Sequence, residues 1–378
     1  MFYFDNAATS WPKPSSVITE AVNATLKVGA NANRSGYSMA KDAGAKILTA
    51  RKRLCSLFNT SDPFEYAFTM NTTYALNFAI KGLLKPGSHV VTTSLEHNSV
   101  LRPLFGLKKS GVECDIIDCN EEGIIDPRRI ERAIKPSTSL IIMTCCSNVL
   151  GTVQPVSEVT DIAHKHGIPI LLDAAQAAGH IPFSIGNADM VAFPGHKGLY
   201  GLQGTGVLYV KKGVELSPII EGGTGSESKV LAQPDVMPDK LEAGTQNMPA
   251  IAALGEAVRF VLSVGVERIA RHEGQLATYF YNALKSIDSI TLYGPQDRAC
   301  CSGIVALNVG DHDPATVEDL LDKKYGIAVR SGFHCAPLAH KSIGTYDRGA
   351  VRFSFGFYND EKQVDYAVKA LREIAKSL

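Results

Sequence analysis

The sequence predicts an α/β fold, with a large domain on a mainly parallel sheet and a smaller C-terminal α+β domain. Three observations carry this expectation. Strand-like and helix-like segments alternate from about residue 45 to 210, the pattern of a parallel sheet with helices on both faces. The strand candidates are short, nearly unbroken apolar runs, as strands buried on both sides must be. After roughly residue 255 the alternation gives way to long helical stretches with a few strands between them.

The first fifteen or so residues, with Pro12 and Pro14 flanking Lys13, read as an extended arm able to pack on either domain. The large domain is expected over residues 16–255 and the small one over 256–378. Residues 66–70 are strand-like. A helix follows over 74–83, where Ala75, Phe78, Ala79 and Leu83 recur at helical spacing. Residues 89–93, 114–118 and 140–145 are further strands, and 158–166 is a helix stopped by Gly167. Residues 168–174 and 190–194 are strands again. The stretch KGLYGLQGT after the latter is too short for a crossover helix, so 205–210 should return antiparallel. Beyond 255 come a long helical region at 257–286 and strands near 303–309 and 351–355. The closing amphipathic helix carries Val364, Ala367, Val368, Leu371 and Ile374 on one stripe.

Composition narrows the function. Hydrophobic residues make up 45% and charged residues 20% of 378 residues, as in an ordinary soluble globular protein. Lysine plus arginine equal aspartate plus glutamate, 38 against 38. There is thus no basic field to gather nucleic acid or an anionic membrane. No apolar run approaches membrane-spanning length and the start lacks the pattern of a signal peptide, so a cytoplasmic location is expected. Eight cysteines in that reducing setting should be thiols rather than disulfides. Cys145-Cys146 and Cys300-Cys301 are adjacent pairs, not the C-x-x-C spacing of a zinc site, and no metal is expected. Cys55, Cys114 and Cys119 read as small core residues.

Two strand ends set the chemistry. The run IPILLDA reaches Asp173, and MVAFP leads into Gly195-His196-Lys197. Neighbouring parallel strands would project this acid and this lysine from one carboxyl-terminal edge, where open α/β sheets bind ligands. An acid for a pyridinium nitrogen and a lysine for a Schiff base are the protein half of a pyridoxal phosphate site. Taken singly, Asp173 could cap a turn and Lys197 could be a solvated surface residue. Asn71-Thr72-Thr73 falls between a strand and a helix, where free N–H groups and hydroxyls can cradle phosphate; a plain N-cap would look the same. His97 and Asn148 each follow a strand, placing them near the same edge.

The runs L-L-D-A-A-Q and M-V-A-F-P-G-H-K-G resemble class V of the fold-type I pyridoxal phosphate enzymes. The resemblance extends over nearly the whole chain. It includes D-N-A-A-T at residues 5–9, N-R-S-G-Y at 33–37, S-N-V-L-G at 147–151, G-G-T-G at 222–225 and E-A-G-T-Q-N at 242–247. Within that class, R-S-G-F-H-C-A at 330–336 is similar to the motif of group II cysteine desulfurases.

The resemblance implies a role for each matching residue. Lys197 would be the Schiff-base lysine and Asp173 the partner of the ring nitrogen. Gln176 would bond the ring hydroxyl, and His97 would stack on the ring. Thr72, Thr73 and His196 would hold the phosphate, with Thr224 of the partner subunit of a homodimer. Arg352 would clamp the substrate carboxylate, assisted by Asn148. Cys335 would take the sulfur of L-cysteine as a persulfide and pass it to an acceptor protein. Two departures stand out. Pro194 occupies a position where the family usually has a serine at the phosphate, and residues 337–349 follow no pattern of the group. The nearest competing activity is a selenocysteine or cysteine-sulfinate lyase, which would use the same lysine but depend less on Cys335. A transaminase would not need the 330–336 loop. A non-catalytic cofactor-binding or sulfur-carrier protein would not need Lys197, Asp173 and Arg352 together.

Overall fold

Alternate residues of the central strands point to opposite sides, and both sides are covered. Val91, Ile141, Met143 and Phe193 enter one apolar core, while Val90, Leu140, Ile142 and Ala192 enter another. That double burial is why these strands read as apolar runs rather than as alternating patterns. The computed structural model describes residues 1–32 and 35–377. The expectations at Asn33 and Arg34 lie outside them.

The elements in chain order begin with β1 (Phe2–Tyr3), α1 (Ser15–Asn23), α2 (Ser38–Phe58), β2 (Tyr66–Thr69), α3 (Thr72–Leu83), β3 (His89–Thr93) and α4 (Asn98–Lys108). Then come β4 (Glu113–Ile117), α5 (Pro127–Arg132), β5 (Thr138–Thr144), α6 (Val156–Lys165), β6 (Ile170–Asp173), β7 (Met190–Pro194) and β8 (Gly206–Val210). The remainder is α7 (Met248–Val264), α8 (Val266–Leu284), β9 (Ile290–Tyr293), β10 (Ile304–Val309), α9 (Pro314–Tyr325), β11 (Ile327–Ala328), β12 (Arg330–Gly332), α10 (Pro337–Ser342), β13 (Ala350–Ser354) and α11 (Glu361–Ser377).

Seven strands form the large sheet in the order β2-β8-β7-β6-β5-β3-β4. Only β8 runs against its neighbours β7 and β2, as the short connection from Lys197 requires. A second sheet, β12-β13-β10-β9, is antiparallel throughout. It packs with α8, α9 and α11 around Phe280, Leu307, Phe353 and Leu371. The division expected at 255/256 falls within α7, whose Ile251, Leu254 and Val258 belong to the large-sheet core.

Two local expectations need correction. The helical region anticipated at 257–286 is two helices that bend by 77° at Gly265, where φ is +88°. A left-handed residue cannot continue an α-helix, and glycine adopts that conformation at least cost. Cys114, on the edge strand β4, is only half-buried and packs against the rim of the core, whereas Cys55 and Cys119 are buried. All eight cysteines are free thiols. No single helix among the described residues is long and apolar enough to cross a membrane.

The arm packs on both sheets. β1 pairs in parallel with β11, and Phe4 enters the small-sheet core. Further along, Ser10 N–H and Lys13 Nζ donate to the carbonyl of His196 at 3.1 and 2.7 Å.

Candidate active site

Parallel pairing places β5, β6 and β7 side by side, with Thr144 opposite Asp173 and Asp173 opposite Ala192. Asp173 ends its strand, and Lys197 comes three residues after β7. Both side chains, with Thr72, Thr73, His97, Asn148, Gln176 and His196, line one cavity at this sheet edge. Eight of the residues singled out from sequence are thus brought together.

Burial governs their charges. The Lys197 amine is pulled down to about 8 by burial, which Asp173 opposes and Arg352 and Arg330 reinforce. Burial pushes the Asp173 carboxyl above its ordinary range, against the Ala175 N–H that it accepts at 2.9 Å and the nearby Lys197. A cationic ring N–H at its other oxygen would add to the counter-charge of Lys197.

His97 is the N-cap of α4, and its Nδ1 accepts from Ser99 N–H at 3.0 Å. The remaining proton of the neutral ring therefore sits on Nε2. Burial, followed by Lys197 and three arginines, lowers its pKa to about 4, so the ring is uncharged at neutral pH. His196 is lowered to about 4 by burial, Lys197 and Lys13, and its Nδ1 lies 3.0 Å from the Thr9 hydroxyl.

The start of α3 is built to receive an anion. Asn71 caps it by accepting from Tyr74 N–H at 3.1 Å, so the amides of Thr72 and Thr73 lie in the open first turn. Thr72 Oγ1 is buried without a partner, and Thr73 Oγ1 lies 2.8 Å from Ser99 Oγ. A side chain at Gly206 would come within 2.6 Å of Asn71 Cα, so glycine there lets β8 pass beneath the cap. These features fit a group that bears a phosphate. Pro194 also lines the cavity and, lacking an N–H and a polar side chain, contributes no donor.

Arg352 stands on β13, fully buried. Its Nη1 donates to Asn148 O at 2.9 Å and its Nη2 to Asp5 Oδ1 at 2.8 Å. The Asn148 amide is partly committed as well, since its Nδ2 donates to His334 O at 2.7 Å. Gln176 donates to Ala7 O at 2.9 Å. Cys335 lines an adjoining groove that shares Thr73, His97 and Ser99 with the lysine cavity. Its carbonyl accepts from Asn98 N–H at 2.7 Å, and Arg330 Nη2 approaches its sulfur at 3.6 Å. Thr224 is not brought to the cavity within one chain. It lies between β8 and α7, with its hydroxyl 3.1 Å from Ser226 Oγ.

Several features of the site escaped the sequence reading, among them the backbone conformation at Cys335. His334 and Cys335 both have positive φ, +51° and +56°, an uncommon conformation for residues other than glycine. A buried chain of side chains holds that turn. His334 Nε2 donates to Arg330 O (3.1 Å), which leaves Nδ1 to accept from His340 Nε2 (3.2 Å). His340 Nδ1 in turn accepts from the Thr345 hydroxyl at 2.7 Å. The segment 337–349, which matched no pattern, thus buttresses the cysteine loop. Glu96, fully buried, accepts from Thr93 Oγ1 and Thr144 N–H at 2.7 and 2.9 Å, and burial lifts it to about 8. The asparagine before Thr72-Thr73 was a readable N-cap signal; the histidine pair left no comparable local mark.

Fold and site together define a pyridoxal phosphate enzyme of fold-type I. The chain belongs to the aminotransferase class-V family, whose pattern matches residues 2–367. It is 37% identical to a probable cysteine desulfurase of Methanothermobacter thermautotrophicus, over 99% of this chain and 94% of that one. It is 34% identical to a cysteine desulfurase of Escherichia coli, over 100% and 94%. Among solved structures, the apo cysteine desulfurase of Thermococcus onnurineus superposes with a TM-score of 0.94 at 33% identity, covering 100% of this chain and 95% of that one. The cysteine desulfurase CsdA of Escherichia coli gives 0.89 at 28%, with the same coverage. Membership implies pyridoxal phosphate as cofactor.

Proposed function

We propose that the protein is a pyridoxal phosphate-dependent cysteine desulfurase that converts L-cysteine to L-alanine and passes the sulfur through Cys335 to an acceptor protein. The observation that carries this reading is the continuity of the Lys197 cavity with the groove holding Cys335, through His97 and Thr73. A thiol beside the lysine is what a desulfurase needs and a transaminase does not.

When bound, the cofactor supplies an electron sink that acidifies the substrate Cα–H and loosens the Cβ–S bond. The protein's residues do the rest. Lys197 would hold the cofactor aldehyde and, as a free amine, would take the substrate Cα proton; its lowered pKa keeps a useful fraction neutral near pH 8. Asp173 keeps the ring nitrogen protonated, and Gln176 bonds the ring hydroxyl. His97 would stack on the ring as an uncharged imidazole. Thr72, Thr73 and His196 bind the phosphate, joined by Thr224 of the partner subunit in a homodimer. Arg352, with Asn148, receives the substrate carboxylate. Cys335 attacks the substrate sulfur as a thiolate, with Arg330 beside it as the nearest cation. We further place the enzyme in the cytoplasm and divide it into a cofactor-binding and a smaller C-terminal domain, with the boundary beyond α7 rather than at 255 inside it.

Sulfide release from L-cysteine in the presence of a reductant tests the reading. Wild type should produce sulfide and alanine in equal amounts and carry a persulfide on Cys335 by mass spectrometry. Cys335→Ala should keep the cofactor's visible absorbance yet lose sulfide release. If it retains release, or turns over only selenocysteine while the wild type ignores cysteine, the desulfurase reading fails.

A further inference from the structure

The N-terminal arm delivers a carboxylate to the residue assigned to the substrate's carboxylate. The placement is fixed by backbone. Phe4 N–H donates to Ala328 O at 2.8 Å, and Ser354 N–H donates to Phe4 O at 2.7 Å. Asn6 N–H donates to Ser354 O at 3.3 Å, and Asp5 is bridged in parallel to Ser354. The arm therefore runs along β13, and Asp5 reaches Arg352, whose Nη2 donates to its Oδ1 at 2.8 Å.

The two partners are unequal. The Arg352 side chain is 1% exposed, whereas that of Asp5 is 19% exposed. Among the described residues Asp5 is the sole carboxylate in ion-pair reach of Arg352. Directly across the strand pair stands Arg330, a like charge that makes the lone anion more necessary. Arg352 Nε is buried without a partner. A guanidinium has five N–H donors, and Asn148 O and Asp5 engage only part of them. A second carboxylate can bind, but it meets a cation whose charge is already offset.

We propose that Asp5 is the resident counter-ion of the Arg352 clamp. It neutralises the buried guanidinium between turnovers and opposes the substrate's carboxylate, thereby setting KM. The inference rests on the reading of Arg352 as the carboxylate clamp. Its physical basis is that two anions on one buried guanidinium repel each other in a medium that screens poorly. The cation must still be balanced when no substrate is present.

Asp5→Asn keeps the acceptor oxygen and removes the charge. The probe is 3-mercaptopropionate, which carries the carboxylate and thiol of the substrate but no amine to react with the cofactor. Its dissociation constant is measured by calorimetry on the cofactor-loaded enzyme. Asp5→Asn should bind it at least about tenfold more tightly than wild type, because like-charge juxtaposition costs more than that in affinity. KM for L-cysteine should fall in parallel, while binding of uncharged 3-mercaptopropanol stays the same. Asp5→Glu, which keeps the charge, should bind the probe like wild type. Equal or weaker binding by Asp5→Asn, or tighter binding by Asp5→Glu, overturns the inference. Arg352→Gln separates the two levels. If it binds the probe as well as wild type, the clamp reading itself is wrong. If it binds weakly while Asp5→Asn is unchanged, only the role of Asp5 falls.

Discussion

On the large-sheet side of the cavity, Asp173 ends one parallel strand and Lys197 comes three residues after its neighbour; the main-chain ladder fixes Asp173 and brings Lys197 to the same edge. On the small-sheet side, Arg330, Cys335 and Arg352 come from two short antiparallel strands and the loop between them. There the positions depend on side chains: the His334–His340–Thr345 chain, the Asn148 amide and the Asp5 carboxylate. The first wall is set by regular hydrogen bonding within a sheet buried on both faces. The second is set by a few polar contacts, each removable by one substitution. On the proposed reading, a cofactor that must not move suits the first wall, and a thiol that must reach the substrate and then an acceptor suits the second.

The sharpest way to break the first wall is Lys197→Ala. The visible absorbance of the bound cofactor and the sulfide activity should both vanish. A borohydride-trapped lysine adduct that persists in this variant would remove Lys197 from its role.

Gly206→Ala strikes the same wall without touching a reacting group. Its methyl would overlap Asn71, and the capped start of α3 would have to shift. Cofactor affinity should drop about 100-fold, the worth of some 3 kcal/mol of phosphate contacts, while the apo protein still folds. Equilibrium dialysis of the phosphate cofactor, beside its dephosphorylated analogue, reads this; equal losses for both would deny the cradle.

Asp173→Asn sharpens the electrostatic side of the comparison. The Asp173 anion raises the Lys197 pKa against burial. Its loss should therefore move the amine below about 8 in the apo protein, by about one unit for a charge in this range. The pH dependence of amine acylation at Lys197, followed by peptide mass spectrometry, gives the midpoint. An upward shift would contradict the geometry.

His340→Leu tests the second wall and should have the smallest effect. It removes two side-chain hydrogen bonds inside the loop's buttress, worth about 1–3 kcal/mol of local stability. Sulfide release should fall severalfold while cofactor absorbance is retained. Amide exchange should quicken across residues 333–346 and stay unchanged in β5 to β7. Equal acceleration in both regions would mean that the walls are not held independently.

The large-sheet wall was the legible one. The runs ending at Asp173 and leading to Lys197 are local patterns, and their strand assignment carries both residues to one edge. The reversal of β8 also followed from the length of its connection. In the small-sheet wall β12 has three residues, and β11, which pairs with β1, has two. Such strands are too short for hydrophobic alternation to mark, and β9 was missed as well. The bend at Gly265 was overlooked because the helical spacing on either side of it continues almost in phase.

What the sequence determined by itself were features that depend on neighbours along the chain. These are the buried parallel strands, the capped start of α3, the lysine after its strand and the loop around Cys335. Tertiary structure alone decided which distant groups share a charge. Asp5 and Arg352 lie 347 positions apart, and Asn148 and His334 lie 186 apart. Periodicity and turn chemistry report the conformation of a few residues at a time. An ion pair in a buried wall depends on the path of the whole chain, so only the folded arm, laid along β13, could reveal that Arg352 already has a counter-ion.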